Sequence, residues 1–435
     1  MKSLEEIAQA LQGFDPQALS VNKAQEFIHH LVKAQSPITK EDLPLMQALG
    51  RIVAEDTISP INVPAHDNSA MDGFAFDGKQ LGAAPLQLRV VGTALAGKAW
   101  QGSVKLGECV KIMTGAVMPA GLDTVIAQEL ATVYSSGDET VIEVPAGILQ
   151  AGDNRRKAGE DLQQGLPALR AGSTLTPAAL GLIASLGIAK VKVYRQLRVA
   201  YFSTGDEVLS LGDAMREGAV YDSNRYTVFG LLSRMGCQVI DMGVVRDDPV
   251  LLEQAFREAS EKADVIITSG GVSVGEADFT KQIMQELGDV GFWKIAMRPG
   301  RPMAFGILKP IPGTSSARKT LFFGLPGNPV AVMVTFYQFV RSALLQLNGA
   351  SQTEPPLVQA VTETAIRKKP GRTEFQRAIL GRNAEGKPSV RLTGSQGAGI
   401  LRSMSEANCF VILGHDQGNI AAGDWVDIAL FDGLL

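Results

Sequence analysis

The sequence predicts a multidomain protein of mixed α/β and β architecture, built round a central α/β domain with a mostly parallel sheet. Three observations carry that expectation. The chain has 435 residues, well past the roughly 250–300 at which one hydrophobic core stops growing. Residues 196–347 alternate short apolar runs with helical patterns, the signature of a parallel sheet covered on both faces in three layers. The stretches 63–157 and 353–435 are instead short β segments broken by Gly and Pro.

From the N-terminus, Val21 to Ala34 and Thr39 to Asp56 both place apolar residues at helical spacing. LQLRVVG, ECVKIMTG and TVIEVPAG then read as strands. A helix returns at TPAALGLIASLG, with Thr176 suited to the N-cap, Pro177 to the first turn and Gly187 to the stop. In the α/β region LRVAYFS is a buried strand. SNRYTVFGLLSRMG is a helix capped by Ser223 or Asn224. CQVIDMGVV is the next strand, followed by PVLLEQAFREAS as helix, ADVIITS as strand, DFTKQIMQEL as helix, TLFFGL as strand and a long helix from Pro329. Ligands of such sheets bind beyond the carboxyl ends of the strands.

Composition narrows the function classes. A hydrophobic fraction of 45%, a charged fraction of 20% and a net charge of −4 describe an ordinary globular chain with no general attraction to nucleic acid or anionic membrane. Cys109, Cys237 and Cys409 are odd in number and widely spaced, so they form neither a disulfide framework nor a zinc site. Glu5 and Glu6 break the apolar N-terminus, which excludes a signal peptide, and no wholly apolar run reaches the ~18 residues of a membrane span. A cytoplasmic protein is expected.

Five loops carry candidate chemistry. DNSAMDG, residues 67–73, sets Asp67 and Asp72 among turn formers. It is either a surface turn or a carboxylate site. TSGGVSVGEADFT joins a strand to a helix. Gly270, Gly271 and Gly275 let backbone N–H groups approach an anion, yet Glu276 and Ala277 stand where a Walker A loop needs Lys and Ser or Thr. With Glu276 and Asp278 at its end, the loop meets phosphate through Mg²⁺, or is a tight turn capped by Asp278. GLPGNPVAV offers Asn328 as a cap and Pro329 as first helical residue. STGDEV exposes Asp206 and Glu207 at a strand end. WKIAMRPGRP brings Lys294, Arg298 and Arg301 to the same edge, as an anion site or a solvated charged face.

VPAHDNSAMDGFA, KIMTGA, AGED, FSTGDE, RDD, TSGGVSVGEADFTK, PGRP and GLPGNPVA together resemble the MoeA family, the molybdopterin molybdenumtransferases, which include the E domain of gephyrin. The resemblance runs from about residue 20 to the C-terminus. It implies insertion of molybdenum from molybdate into adenylylated molybdopterin, with release of AMP and a requirement for Mg²⁺. It also implies four domains: a discontinuous helical/β first domain (1–62 with 158–195), a β-rich lid (63–157), the α/β domain (196–347) and a small β-barrel-like C-terminal domain (353–435). The implied assembly is a homodimer with active sites shared between subunits, in transient contact with molybdopterin adenylyltransferase and with molybdoenzyme maturation proteins.

Carried over residue by residue, the resemblance gives catalytic roles to Asp72, Thr114, Asp161, Glu207, Asp247 and Asp278, with Glu207 and Asp278 as metal ligands. Ser269, Gly270, Gly271 and Gly275 fall under the phosphates. Lys294, Arg298 and Arg301 fall beside pterin phosphate and molybdate, Pro326 and Pro329 in the adjoining loop, and Arg372 and Arg377 at the nucleotide. His66 stands where the family often has an aromatic, and Arg298 and Arg301 where Lys is frequent; SSARKT near 315 lengthens a hairpin. His29, His30 and His415 fit no metal spacing. Two other functions share parts of the pattern: a molybdopterin adenylyltransferase, against which the lid motif and C-terminal β domain speak, and a gephyrin-like scaffold, which needs no intact acidic site.

Overall fold

The computed structural model describes residues 19–35, 38–137, 139–271, 283–284, 286–310 and 319–431. Gly275, Glu276 and Asp278, most of DFTKQIMQEL, and the SSAR part of SSARKT lie outside the described residues. The chain divides into two compact units. The first comprises Met1–Glu55, Ala171–Thr176 and Lys192–Leu435, the second Asp56–Arg170 and Pro177–Val191.

The first unit holds a six-stranded sheet made of β1 (Arg198–Thr204), β2 (Gln238–Val245), β3 (Val265–Ser269), β4 (Gly288–Lys294), β5 (Pro302–Leu308) and β6 (Thr320–Leu325), in the order β2-β1-β3-β6-β5-β4. The first four in that order run parallel, and β5 and β4 pair antiparallel at the far edge. Alternation along β1 separates two cores. Val199 and Tyr201 face α1 (Val21–Lys33), α2 (Ser223–Arg234) and the helical run from Pro329, whereas Ala200 and Phe202 face α3 (Pro249–Lys262). This gives the expected helices on both faces of the sheet.

Three sequence expectations need correction here. Thr39 to Asp56 is not a helix. It contains the strand Lys40–Pro44 and a single 3₁₀ turn, Leu45–Gln47, because Pro44 lacks the N–H that a helix interior needs and Met46 and Leu49 are exposed instead of packed. The N-cap of α2 is Asp222, whose carboxylate accepts from the Arg225 N–H at 3.0 Å, instead of Ser223 or Asn224. The long helix from Pro329 is α4 (Pro329–Thr335) and α5 (Arg341–Leu347) joined through a π-helical turn, Phe336–Val340. By length and mean hydropathy that 19-residue run could cross a membrane, contrary to the apolar-run count, but 72% of its most apolar stretch is buried inside the protein. Its Tyr337 stacks on Phe431 and meets Phe410 edge-on. It is a core helix.

The same unit ends in a five-stranded closed barrel: β7 (Val358–Thr362), β8 (Thr373–Arg382), β9 (Pro388–Leu392), β10 (Cys409–Leu413) and β11 (Trp425–Leu430) pair in the order β8-β9-β7-β11-β10 and back to β8. Ala378, Val390, Val411 and Ile428 fill it. Closure leaves no free sheet edge within the barrel.

The second unit carries its own six-stranded sheet, from Thr124–Ala127 through Gly73–Phe76, Glu108–Ile112, Leu86–Ala94 and Glu139–Val144 to Thr132–Ser136. Phe74 and Phe76 pack to one face, Ala75 to the other, which is the β-rich texture read from residues 63–157. Gly73 is required by close approach: a Cβ there would lie 1.9 Å from the Ile126 carbonyl oxygen. The three cysteines are free.

Candidate active site

A cavity of about 1260 Å³ opens beyond the carboxyl ends of β1, β2, β3 and β6. The chain leaves β1 for β2 on one side and later returns to β3 on the other. The cavity therefore sits at the switch point where open parallel sheets bind ligands. Its walls are the loops that the sequence singled out. Thr204–Glu207 follow β1, Asp247 follows β2, Ser269–Gly271 follow β3 and Pro326–Pro329 follow β6. Arg298–Pro302 and the barrel residues Arg372, Gln396 and Ala398 close it.

The glycine loop is built for close approach. Gly270 has φ +89°, and a Cβ on it would lie 2.4 Å from the Thr204 carbonyl oxygen, so any other residue forces the β1 and β3 loops apart. Beneath it the hydroxyl of Tyr201 bonds Ser269 at 2.6 Å and Ser203 at 2.9 Å, with 3.2 Å between the two serines. Burial pushes the Tyr201 phenol above its ordinary range. The Ser269 side chain is thus engaged with the core, and its loop reaches the cavity chiefly as backbone.

Charges of both signs converge here. Asp206, Glu207 and Asp247 stand on one part of the wall, Arg298, Arg301 and Arg372 on another. Arg298 and Arg301 are exposed and make no ion pair with a described residue. Arg372 is held by Glu374, 2.9 Å away and only 2% exposed. Arg301 and Arg372 also line a second cavity of about 370 Å³ together with Lys369. Such a set grips polyanions by charge and by forked hydrogen bonds.

Two of the expected cations stand elsewhere. Lys294 is half-buried on β4 opposite Pro302 and does not line the cavity. Arg377 is fully buried. Its guanidinium donates to the Ser403 hydroxyl (3.0 Å) and to the carbonyls of Gln396 (3.2 Å), Ser395 (3.2 Å) and Gly397 (3.0 Å). Burial, helped by Arg298, pushes its pKa down to about 10. Arg377 thus braces the Ser395–Gly397 loop with these four bonds.

In the second unit the two carboxylates of DNSAMDG have different contacts. Asp67 is tied down structurally: it accepts from the Ala158 N–H at 2.8 Å and pairs with Arg155 at 3.6 Å. Asp72 is exposed, and its Oδ1 accepts from both the N–H and the hydroxyl of Thr114, each at 2.7 Å. The Thr114 N–H first, then its hydroxyl, hold the Asp72 carboxyl below the usual carboxylate range. Asp161 is exposed too, with its backbone N–H on the Val63 carbonyl. Asp72 and Thr114 therefore form one constellation, although 42 residues separate them.

Sequence reasoning missed Thr204, Tyr201, Asp222, Asn224 and Gln396. Asp222 immediately precedes the helix that Ser223 opens, and in YDSN three residues in a row are good caps, so the sequence does not single it out. No group of three or more His, Cys, Asp or Glu residues is placed to hold a metal among the described residues.

Comparison with known proteins adds the following. Residues 19–187 match the MoeA N-terminal region (domain I and II), 200–346 a probable molybdopterin binding domain, and 359–431 the MoeA C-terminal region (domain IV). The chain is 44% identical over 400 residues to the molybdopterin molybdenumtransferase of Haemophilus influenzae, covering 92% of this chain and 96% of that one. It is 32% identical to the protein of the same name from Bacillus subtilis, covering 93% of each. The molybdopterin biosynthesis moeA protein of Pyrococcus horikoshii superposes with a TM-score of 0.78 at 27% identity, over 95% of this chain and all of the other.

Proposed function

The chain belongs to the MoeA family of molybdopterin molybdenumtransferases, and from that premise we propose that it inserts molybdenum from molybdate into adenylylated molybdopterin with release of AMP. The observation that carries the proposal is the strand-end cavity in which a tight glycine loop, three arginines and four carboxylates meet. An adenylylated pterin is a polyanion, and molybdate is a second anion. Gly271 presents its backbone N–H to phosphate oxygens, as loops of this shape do, while the Gly270 N–H is spent on the Leu325 carbonyl at 3.1 Å and its missing side chain lets the loop lie against Thr204. Arg298, Arg301 and Arg372 neutralise phosphate and oxyanion, so that two like-charged substrates share one cavity. Arg372, fixed by Glu374, is oriented before substrate arrives.

Mg²⁺ belongs to the proposal as well. The donor chemistry fits, since Glu207 and Asp278 are hard carboxylate donors, the latter outside the described residues. Mg²⁺ takes one or two carboxylates and completes its shell with phosphate oxygens and water. Mg²⁺ supplies charge neutralisation of the anhydride when bound. The protein's own contribution is to hold both anions and to exclude free water from the barrel side.

We further propose a homodimer in which Asp72 and Thr114 of one subunit serve the cavity of the other, a cytoplasmic setting in keeping with the free cysteines, and transient contact with an adenylyltransferase and with maturation proteins. The adenylyltransferase and scaffold alternatives are weaker, because the match includes both the N-terminal and C-terminal MoeA regions and the carboxylates of the α/β loops. To test the proposal, the purified protein is incubated with adenylylated molybdopterin, molybdate and Mg²⁺. AMP and protein-bound molybdenum should rise together. No AMP with all three present overturns it.

A further inference from the structure

One wall of the cavity is not built for anions. Thr204, Asp222 and Asn224 line it, and each carries a buried oxygen without a hydrogen-bond partner among the described residues: Oγ1, Oδ2 and Oδ1 respectively. Asp222 is 4% exposed and Thr204 6%. The capping role explains only one half of Asp222, since Oδ1 accepts from the Arg225 N–H while Oδ2 has no donor among the described residues. Anchoring explains only one half of Asn224. Its Nδ2 donates to the Gly327 carbonyl at 2.8 Å, which fixes the amide and leaves Oδ1 as an acceptor. An unpaired buried acceptor is costly to keep, and three on one cavity wall point to a ligand that brings donors.

Phosphate and molybdate bring only oxygens. Mg²⁺ retains several waters and favours carboxylates, whereas these oxygens are dry and only one belongs to a carboxylate. Of the two heterocycles in the substrate, adenine has a single amino group between ring acceptors. The pterin has adjacent N3–H and 2-amino donors. On the molybdopterin reading above, we infer that Asp222 and Asn224, with Thr204 completing the set, bind the 2-amino-4-oxopyrimidine edge of the pterin and so determine which heterocycle the site accepts.

The test uses 6-hydroxymethylpterin diphosphate and its lumazine counterpart, in which an oxygen replaces the 2-amino group. Binding to the full-length protein is followed by quenching of ring fluorescence. Wild type should prefer the pterin by about tenfold or more, the cost of leaving a buried acceptor unpaired. Asp222→Asn preserves the cap, because Asn also accepts the Arg225 N–H, but it cannot keep both oxygens as acceptors. The preference should fall to within about twofold, with AMP binding and the thermal midpoint unchanged. Should Asp222→Asn not fold, Asn224→Ala removes the second acceptor without touching the cap and should also reduce the preference.

Equal binding of both probes by wild type, or a preference retained in the folded variants, overturns the inference. So does an Asp222→Asn enzyme that needs only more Mg²⁺. AMP release by wild type is measured separately. Normal release without pterin preference defeats this inference alone, and pterin preference without release defeats the transferase reading.

Discussion

Arg377 offers the sharpest contrast between a residue that touches substrate and one that shapes the site. Replacing it with Met keeps much of the volume in a fully buried position and deletes four charge-assisted contacts, to Ser403, Ser395, Gln396 and Gly397. The Ser403 hydroxyl keeps its bond to the Ile400 carbonyl at 2.7 Å, and the loop carbonyls are close enough to solvent to regain water. The net loss is therefore well below the sum of four charged hydrogen bonds, at about 2–4 kcal/mol. Gln396 stays clamped to the Arg377 backbone at 2.8 and 3.1 Å, so the loop loosens without leaving. Urea unfolding followed by circular dichroism should show that loss with an unchanged slope, and KM for adenylylated molybdopterin should rise several-fold while kcat falls little. Stability within about 0.5 kcal/mol of wild type, together with a large loss of AMP affinity, would refute the bracing role and restore Arg377 to the nucleotide.

Three further outcomes follow from other contacts. Asp72 has its pKa lowered in the folded state by Thr114, so the contact is intact at neutral pH and is lost as pH falls through the lowered value. Thr114→Val, which removes only the hydroxyl, should move that loss to higher pH in a ¹³C carboxyl titration, and an unshifted titration would count against the pair. Asp264 is buried and takes both Arg195 nitrogens at 2.6 and 2.7 Å; Asp264→Ala should cost about 3–5 kcal/mol in urea unfolding because the arginine is left without its partner, and a loss under about 1 kcal/mol would contradict it. Mixing Asp72→Ala with Asp278→Ala subunits should restore AMP release if sites are shared across a dimer. A mixture as inactive as its parents, once exchange of subunits is demonstrated, would exclude sharing.

Much of the α/β architecture could be read directly, since the continuous burial of β1 and β6 and the cap of α3 follow from local residue chemistry, although Asn328, at the expected cap position of α4, makes no side-chain capping bond. Asp248 caps α3 through Val250 and Leu251, as its position before Pro249 suggests. Thr39 to Asp56 misled because Leu43, Met46, Leu49 and Val53 mimic a helical stripe, and only tertiary context shows which of them pack. The site divides in the same way. Strand-end loops announce themselves through glycine and charge, whereas the Tyr201–Ser203–Ser269 network and the role of Asp222 depend on groups brought together from far apart in sequence. Arg377 is placed at the nucleotide by the resemblance alone, and no local pattern in the sequence shows that the Ser395–Gly397 loop folds back over it.

The account rests on coupling between AMP release and metal transfer in one site. A quenched time course with wild-type protein, adenylylated molybdopterin and Mg²⁺, run with and without molybdate, measures both products at once. The account predicts AMP and protein-bound molybdenum in equimolar amounts when molybdate is present, and little AMP when it is withheld. Full AMP release without molybdate, or molybdenum binding with the adenylyl group still attached, would contradict it.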